Sequence, residues 1–133
     1  MKLPIKSEYA CLTLIDLTQH YKKGYVKIEE ISNRKNIPKK YLRQILLLLK
    51  NGGYIKTGSN GEGRYRLIKN PGKITVAEIV KLMDGALAAV GWVGKYFYEE
   101  TPVEQHEPLL NFFIDIRNYI AIKMETTNFA DLV

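Results

Sequence analysis

The segment Pro38-Lys39-Lys40-Tyr41-Leu42-Arg43-Gln44 carries the most legible chemistry in this 133-residue chain. Helical spacing puts Leu42, Ile45, Leu46 and Leu49 on one face and leaves Lys39, Lys40, Arg43 and Gln44 outward. An arginine can bridge O6 and N7 of guanine, and a glutamine can pair with N6 and N7 of adenine. Lys39, Lys40 and the Tyr41 hydroxyl suit phosphate oxygens, which set register without reading sequence. The plainer alternative is a solvated basic face on an ordinary core helix.

A second basic feature follows at once. Gly58-Ser59-Asn60-Gly61-Glu62-Gly63 joins two short alternating runs, Tyr54 to Thr57 and Arg64 to Ile68, which is a hairpin signature. Arg64 and Arg66 flank the turn, with Lys56 on the partner run. Ser59, Asn60, Gly61 and Arg64 are therefore candidate duplex contacts, because glycine lets the backbone approach without a Cβ clash. A plain surface hairpin has the same composition. No G-x-x-x-x-G-K-[ST] loop for nucleotides occurs. Catalytic groups are sparse: Cys11 is the one cysteine, and neither His20 nor His106 has an evident partner. No catalytic site is expected, and the chain does not read as an enzyme.

The elements that must hold these residues are mostly helical. Ser7 is a candidate cap for a first helix through Leu17, ending near Tyr21 before Lys22-Lys23-Gly24. Tyr25-Val26-Lys27 reads as a short extended piece and Ile28 to Lys35 as a short helix. Pro38 suits the first turn of the third helix, which stops at Asn51-Gly52-Gly53. Ile74 to Asp84 reads as another helix, with Thr75 and Glu78 forming a capping box. An irregular stretch follows, and Pro108 opens a long helix to about Met124. Two short helices meeting at Asn36-Ile37-Pro38, followed by a hairpin, are the parts of a winged helix-turn-helix.

Charge divides along the same line. Residues 1–73 hold 16 Lys/Arg against 5 Asp/Glu, a net of +11, whereas residues 74–133 hold 4 against 9, a net of −5. A polyanion-binding half joined to a half with another task has that footprint. The predicted division is a winged DNA-binding domain over 1–85 and a loop with a dimerisation helix over 86–133.

The last helix supports that task. Leu109, Phe112, Phe113, Ile116, Tyr119 and Ile120, with further apolar neighbours, cover more than one stripe. Such a helix needs cover on two sides, most simply from a second copy of the chain; a central core helix of a monomer is the alternative. Leu47 and Leu48 are too apolar for a groove and are expected against neighbouring protein. Trp92, Tyr96 and Phe97 in the preceding loop either line a small-molecule effector pocket or pack beneath the dimer helix. No stretch is apolar for long enough to span a bilayer, no secretory leader is evident, and the cytoplasm is the expected compartment.

Met1-Lys2-Leu3 with Lys6 and Tyr9-Ala10, the run Ile37 to Leu46, and Gly61-x-Gly63-x-Tyr65-Arg66-Leu67 resemble the Rrf2 family of winged helix-turn-helix transcriptional regulators (IscR, NsrR and CymR are of this kind). Ile74-Thr75 to Asp84-Gly85 and Thr126-Thr127-x-x-Ala130-Asp131-Leu132 match its later landmarks, so the resemblance spans nearly the whole chain. It implies a mainly α fold with a small β-hairpin wing and a long C-terminal dimerisation helix. It also implies a bacterial, homodimeric regulator whose partner is double-stranded DNA, and a repressor is the expected output. By position, Lys39, Lys40, Tyr41, Arg43, Gln44 and the wing around Ser59 to Gly63 fall where the family contacts DNA.

Two departures stand out. Arg43 replaces the glutamate common in relatives and Ser59 replaces a wing arginine, so a different operator is expected. Cluster-binding members place three cysteines before the dimer helix; this chain has none there, and Trp92 stands near the first of those positions. No iron–sulfur cluster, metal or other cofactor is expected; the effector, if any, is a small molecule or a protein. The competing function is a winged-helix protein-interaction module that has lost DNA binding.

Overall fold

The computed structural model describes residues 3–59, 63–85 and 102–133. Helix α1 (Ile5–Gln19) starts after Pro4 and closes at His20. The sequence reading placed Ser7 at its cap; instead Ser7 is buried inside the first turn and its hydroxyl donates to the Asp84 carboxylate. A partner on another helix replaces the helix's own N–H groups, so α1 begins earlier, at Ile5.

Lys22 and Gly24, both at positive φ (63° and 100°), turn the chain into strand β1 (Val26–Lys27). Helix α2 (Ile28–Lys35) follows without a break, and its Glu30 carboxylate accepts the Lys27 N–H at 3.0 Å. Asn36 ends α2 in the left-handed conformation (φ 53°, ψ 47°), which its short amide tolerates better than a branched side chain would. The Ile37 N–H donates to the Ser32 carbonyl at 3.2 Å, and the Ser32 hydroxyl donates to the Ile37 carbonyl at 2.7 Å. Those two bonds, with the buried Ile37 side chain, fix the angle at which the next helix departs. Helix α3 (Lys39–Asn51) begins one residue after Pro38, which therefore stands at the cap and not in the first turn.

Strands β2 (Ile55–Thr57) and β3 (Arg64–Leu67) are each slightly shorter than their apolar alternation suggests. β1 pairs with β3, so the sheet has three antiparallel strands in the order β1-β3-β2. The extended piece at 25–27 is thus part of the wing's own sheet.

Helix α4 (Val76–Asp84) carries the expected capping box: Thr75 Oγ1 accepts from the Glu78 N–H at 3.2 Å, and Glu78 Oε1 accepts from the Thr75 N–H at 2.7 Å. Helix α5 (Glu107–Thr126) opens at His106, whose Nδ1 accepts from the Leu109 N–H at 3.3 Å. It packs against α4. The chain then returns to the first half. The Val76 N–H donates to the Thr127 carbonyl at 2.9 Å, and the Phe129 N–H to the Ile74 carbonyl at 3.1 Å. Phe129 is fully buried in one core with Leu14, Ile31, Leu42, Leu46 and Ile79. Among the described residues, no helix is long and apolar enough to cross a membrane.

Candidate nucleic-acid interface

α3 is divided sharply by exposure. Leu42, Ile45, Leu46 and Leu49 are fully buried, whereas Lys39, Lys40, Tyr41, Arg43 and Gln44 are exposed. The buried set fixes the rotation of the helix and turns these five positions away from the core. The tyrosine is less free than its neighbours: its ring meets Tyr9 of α1 edge to face at 5.6 Å while the side chain stays exposed.

Two residues missed in the sequence join this edge. Glu29, in the first turn of α2, lies 3.8 Å from Lys39 Nζ. Both side chains are about half exposed, so the pair does little for stability but restrains where Lys39 reaches. Lys27 and Arg64, facing each other across β1 and β3, share a cleft of about 480 Å³ with Glu29, Arg43 and Gly63. Gly63 sits at φ 61° and its carbonyl accepts the Ile28 N–H at 2.8 Å, tying the wing root to the start of α2. The signal available for Lys27 was the alternation Tyr25-Val26-Lys27, too short to identify a paired strand.

Ser59 is exposed, and Asn60 and Gly61 lie outside the described residues, as do Trp92, Tyr96 and Phe97 of the candidate effector pocket. Leu48 packs against the core as expected, but Leu47 is left 56% exposed by its own chain. On α5 no residue is buried: Phe112, Tyr119 and Ile122 are exposed by 56%, 69% and 60%, Leu109 is exposed too, and Phe113, Ile116 and Ile120 are half covered.

Comparison with known proteins agrees with this geometry. The Rrf2 family model, described as an iron-dependent transcriptional regulator, matches residues 3–133. The transcriptional regulator CymR of Bacillus subtilis is 25% identical over 132 residues, covering 99% of this chain and 89% of that protein. IscR of Xenorhabdus nematophila is 32% identical over 95 residues, 71% of this chain but only 58% of its own length. Among solved structures, CymR, the global cysteine regulator of B. subtilis, superimposes with a TM-score of 0.79 at 24% identity, covering 99% and 95% of the two chains. IscR of T. potens gives 0.75 at 23% identity, covering 99% and 85%.

The iron in that family description requires donors this chain lacks. A cluster needs thiolates or, less often, imidazoles. The single cysteine, Cys11, is on α1, and residues 86–101 include neither cysteine nor histidine. Burial pushes the Cys11 thiol up to about 11, away from the thiolate that would bind metal. The residues do not fit a cluster. Cys11 should accordingly be alkylated by iodoacetamide far more slowly in the native protein than in the unfolded one at pH 8. Because its folded value exceeds the thiol's ordinary value of 9.0, its contribution to stability is constant below pH 9 and declines between pH 9 and 11. Equal labelling rates in native and unfolded protein would contradict this burial.

Proposed function

The chain belongs to the Rrf2 family of DNA-binding transcriptional regulators, which are not enzymes, and on that premise we propose that it is a cytoplasmic, cluster-free homodimeric repressor reading duplex DNA with α3. The observation that carries the reading is the clean division of α3 into a fully buried apolar face and an exposed edge of Lys39, Lys40, Arg43 and Gln44. Arg43 and Gln44 are assigned to base edges, and Lys39, Lys40 and Tyr41 to phosphates. The wing residues Ser59, Asn60, Gly61 and Arg64 are assigned to the neighbouring backbone. Residues 1–85 are assigned to reading DNA and residues 86–133 to joining two copies, with the tail at Phe129 returning to the core of the first part.

A second copy is favoured by α5. Its bare apolar positions would be removed from water by the same helix of another protomer, and Leu109, Phe112, Phe113, Ile116, Tyr119 and Ile120 are the residues assigned to that contact. Twofold symmetry would then set two α3 edges about 34 Å apart, one turn of duplex.

Selection of bound duplexes from a random pool tests both parts. Two related half-sites at that spacing are the expected product. With the selected duplex, Arg43→Ala should lose about 1–3 kcal/mol of discrimination, a factor of roughly 5 to 150, while Lys40→Ala should weaken all sequences alike and flatten the salt dependence by about one phosphate per protomer. A pool that never converges, or variants that bind operator and random DNA as the wild type does, would remove α3 from the role.

A further inference from the structure

Strand alternation sorts the sheet into two faces. Val26, Ile55 and Leu67 are buried, and Tyr65 leans on the core. The opposite face takes Lys27, Lys56, Arg64 and Arg66, so every outward strand position is a cation. The register sets them against one another: Lys27 lies opposite Arg64, and Lys56 opposite Arg66. Like charges directly opposed across an antiparallel pair are destabilising. Among the described residues, none of the four takes part in an ion pair. Glu29 lines the cleft beside Lys27 and Arg64 but its ion pair is with Lys39, so among the described residues the cationic rows are left without a paired acid.

Arg66 is the most developed of the four. Its guanidinium lies 5.3 Å from the centre of the Tyr25 ring, and its Nε is buried without a hydrogen-bond partner. Stacking on an aromatic face orients the planar fork, and a phosphate is the acid that such a fork grips well.

We propose that this outward face is a second track for duplex phosphates, lying beyond the half-site read by α3, so that each protomer also grips flanking DNA. The inference rests on the reading of α3 given above. Continuity supports it. Arg43 of α3 shares the cleft with Lys27 and Arg64, which form the first cross-strand row. The second row, Tyr25, Arg66 and Lys56, lies two residues further along β3, about 7 Å away. The cationic surface therefore continues outward from the recognition helix and does not stop at the wing root. An acidic protein partner is the other polyanion, but the four outward strand positions are all cations and the Tyr25 ring in the second row is already occupied by the Arg66 guanidinium.

The test uses the selected duplex in two lengths, one trimmed to its core and one extended by about one helical turn (about 10 bp) at each end. Wild-type protein should bind the longer duplex more tightly and with a steeper salt dependence. The double variant Lys56→Gln with Arg66→Gln should bind the core duplex as the wild type does. On the long duplex its log–log salt slope should fall by about 0.9 for each phosphate lost, close to 2 per protomer. Lys56→Gln alone should produce about half that change, which keeps the test readable if the double variant folds poorly. A variant that matches wild type on the long duplex overturns the track; an acidic protein as the true partner would give that same result. Equal weakening on both lengths overturns it as well, because the contacts would then lie within the half-site. Wild-type protein that ignores even the core duplex would refute the earlier reading of α3, a result distinct from either.

Discussion

Arg34→Ala is expected to destabilise the protein by about 3 kcal/mol, and Asp16→Asn added to it should restore much of the loss. Asp16 lies on α1 with no exposed side-chain surface, amid residues that otherwise build the core. Arg34 of α2 meets it with both arms of its fork, Nε to Oδ2 at 2.8 Å and Nη2 to Oδ1 at 3.0 Å. His20 adds an Nδ1 contact to the Asp16 backbone carbonyl at 2.7 Å, with Oδ1 at 3.4 Å. Hydrogen bonding to Asp16 holds the Arg34 guanidinium above its ordinary range, so it remains charged at any working pH. Removing the arginine strands a buried carboxylate, a loss of about 3–5 kcal/mol in dry sites. Arg34 is 37% exposed, so water reaches part of the vacated space and the lower end applies. Asparagine at position 16 no longer demands a cation, which is why the double variant should recover. Denaturant midpoints at neutral pH measure both; an Arg34→Ala loss below 1 kcal/mol would mean that Asp16 is solvated after all. Since this pair fastens α2 to α1, and α2 sets the departure of α3, weaker operator binding should accompany the loss well below the melting temperature.

That pair marks where the sequence stops being legible. Asp16 interrupts Leu14-Ile15-Leu17, an oddity any reader can see, but nothing local indicates a partner 18 residues away. The outward edge of α3 was readable because Leu42, Ile45, Leu46 and Leu49 set its phase over three turns. α2 is legible to the residue, because Ile28 and Ile31 mark its inward face and Asn36-Ile37-Pro38 marks the junction that follows it. Glu29 beside Lys39 and Lys27 beside Arg43 were not readable, since the first depends on the angle between α2 and α3 and the second on how β1 returns to β3. Ser7 misled for a related reason: a hydroxyl in the first turn can cap its own helix or bond another, and the sequence carries no information on which is closer. The wing tip at Asn60 and Gly61 and the aromatic loop of Trp92, Tyr96 and Phe97 fall outside the described residues.

Phe129→Ala should match or exceed that loss, at about 3–5 kcal/mol, with a fall in melting temperature on the order of 10 °C. Sequence alone puts Phe129 in a C-terminal tail, where truncation is ordinarily mild. Here the tail re-enters the molecule. Asn128 bridges to Thr75, backbone bonds flank it at Val76 and Ile74, and the phenyl ring is fully enclosed by the core that also supports α3. The ring therefore fastens the end of α5 to the reading domain as well as filling space. Removing it leaves a cavity that the surrounding Leu and Ile side chains can close only partly. Leu132, three residues on and 46% exposed, supplies the control: its alanine variant should stay within 1 kcal/mol of wild type. If the two alanine variants melt together near the wild-type temperature, the tail is not part of the core. If Phe129→Ala alone melts early, α5 and the helix-turn-helix share one core, and a change in the packing of one end of α5 has a direct physical route to the edge that α3 presents.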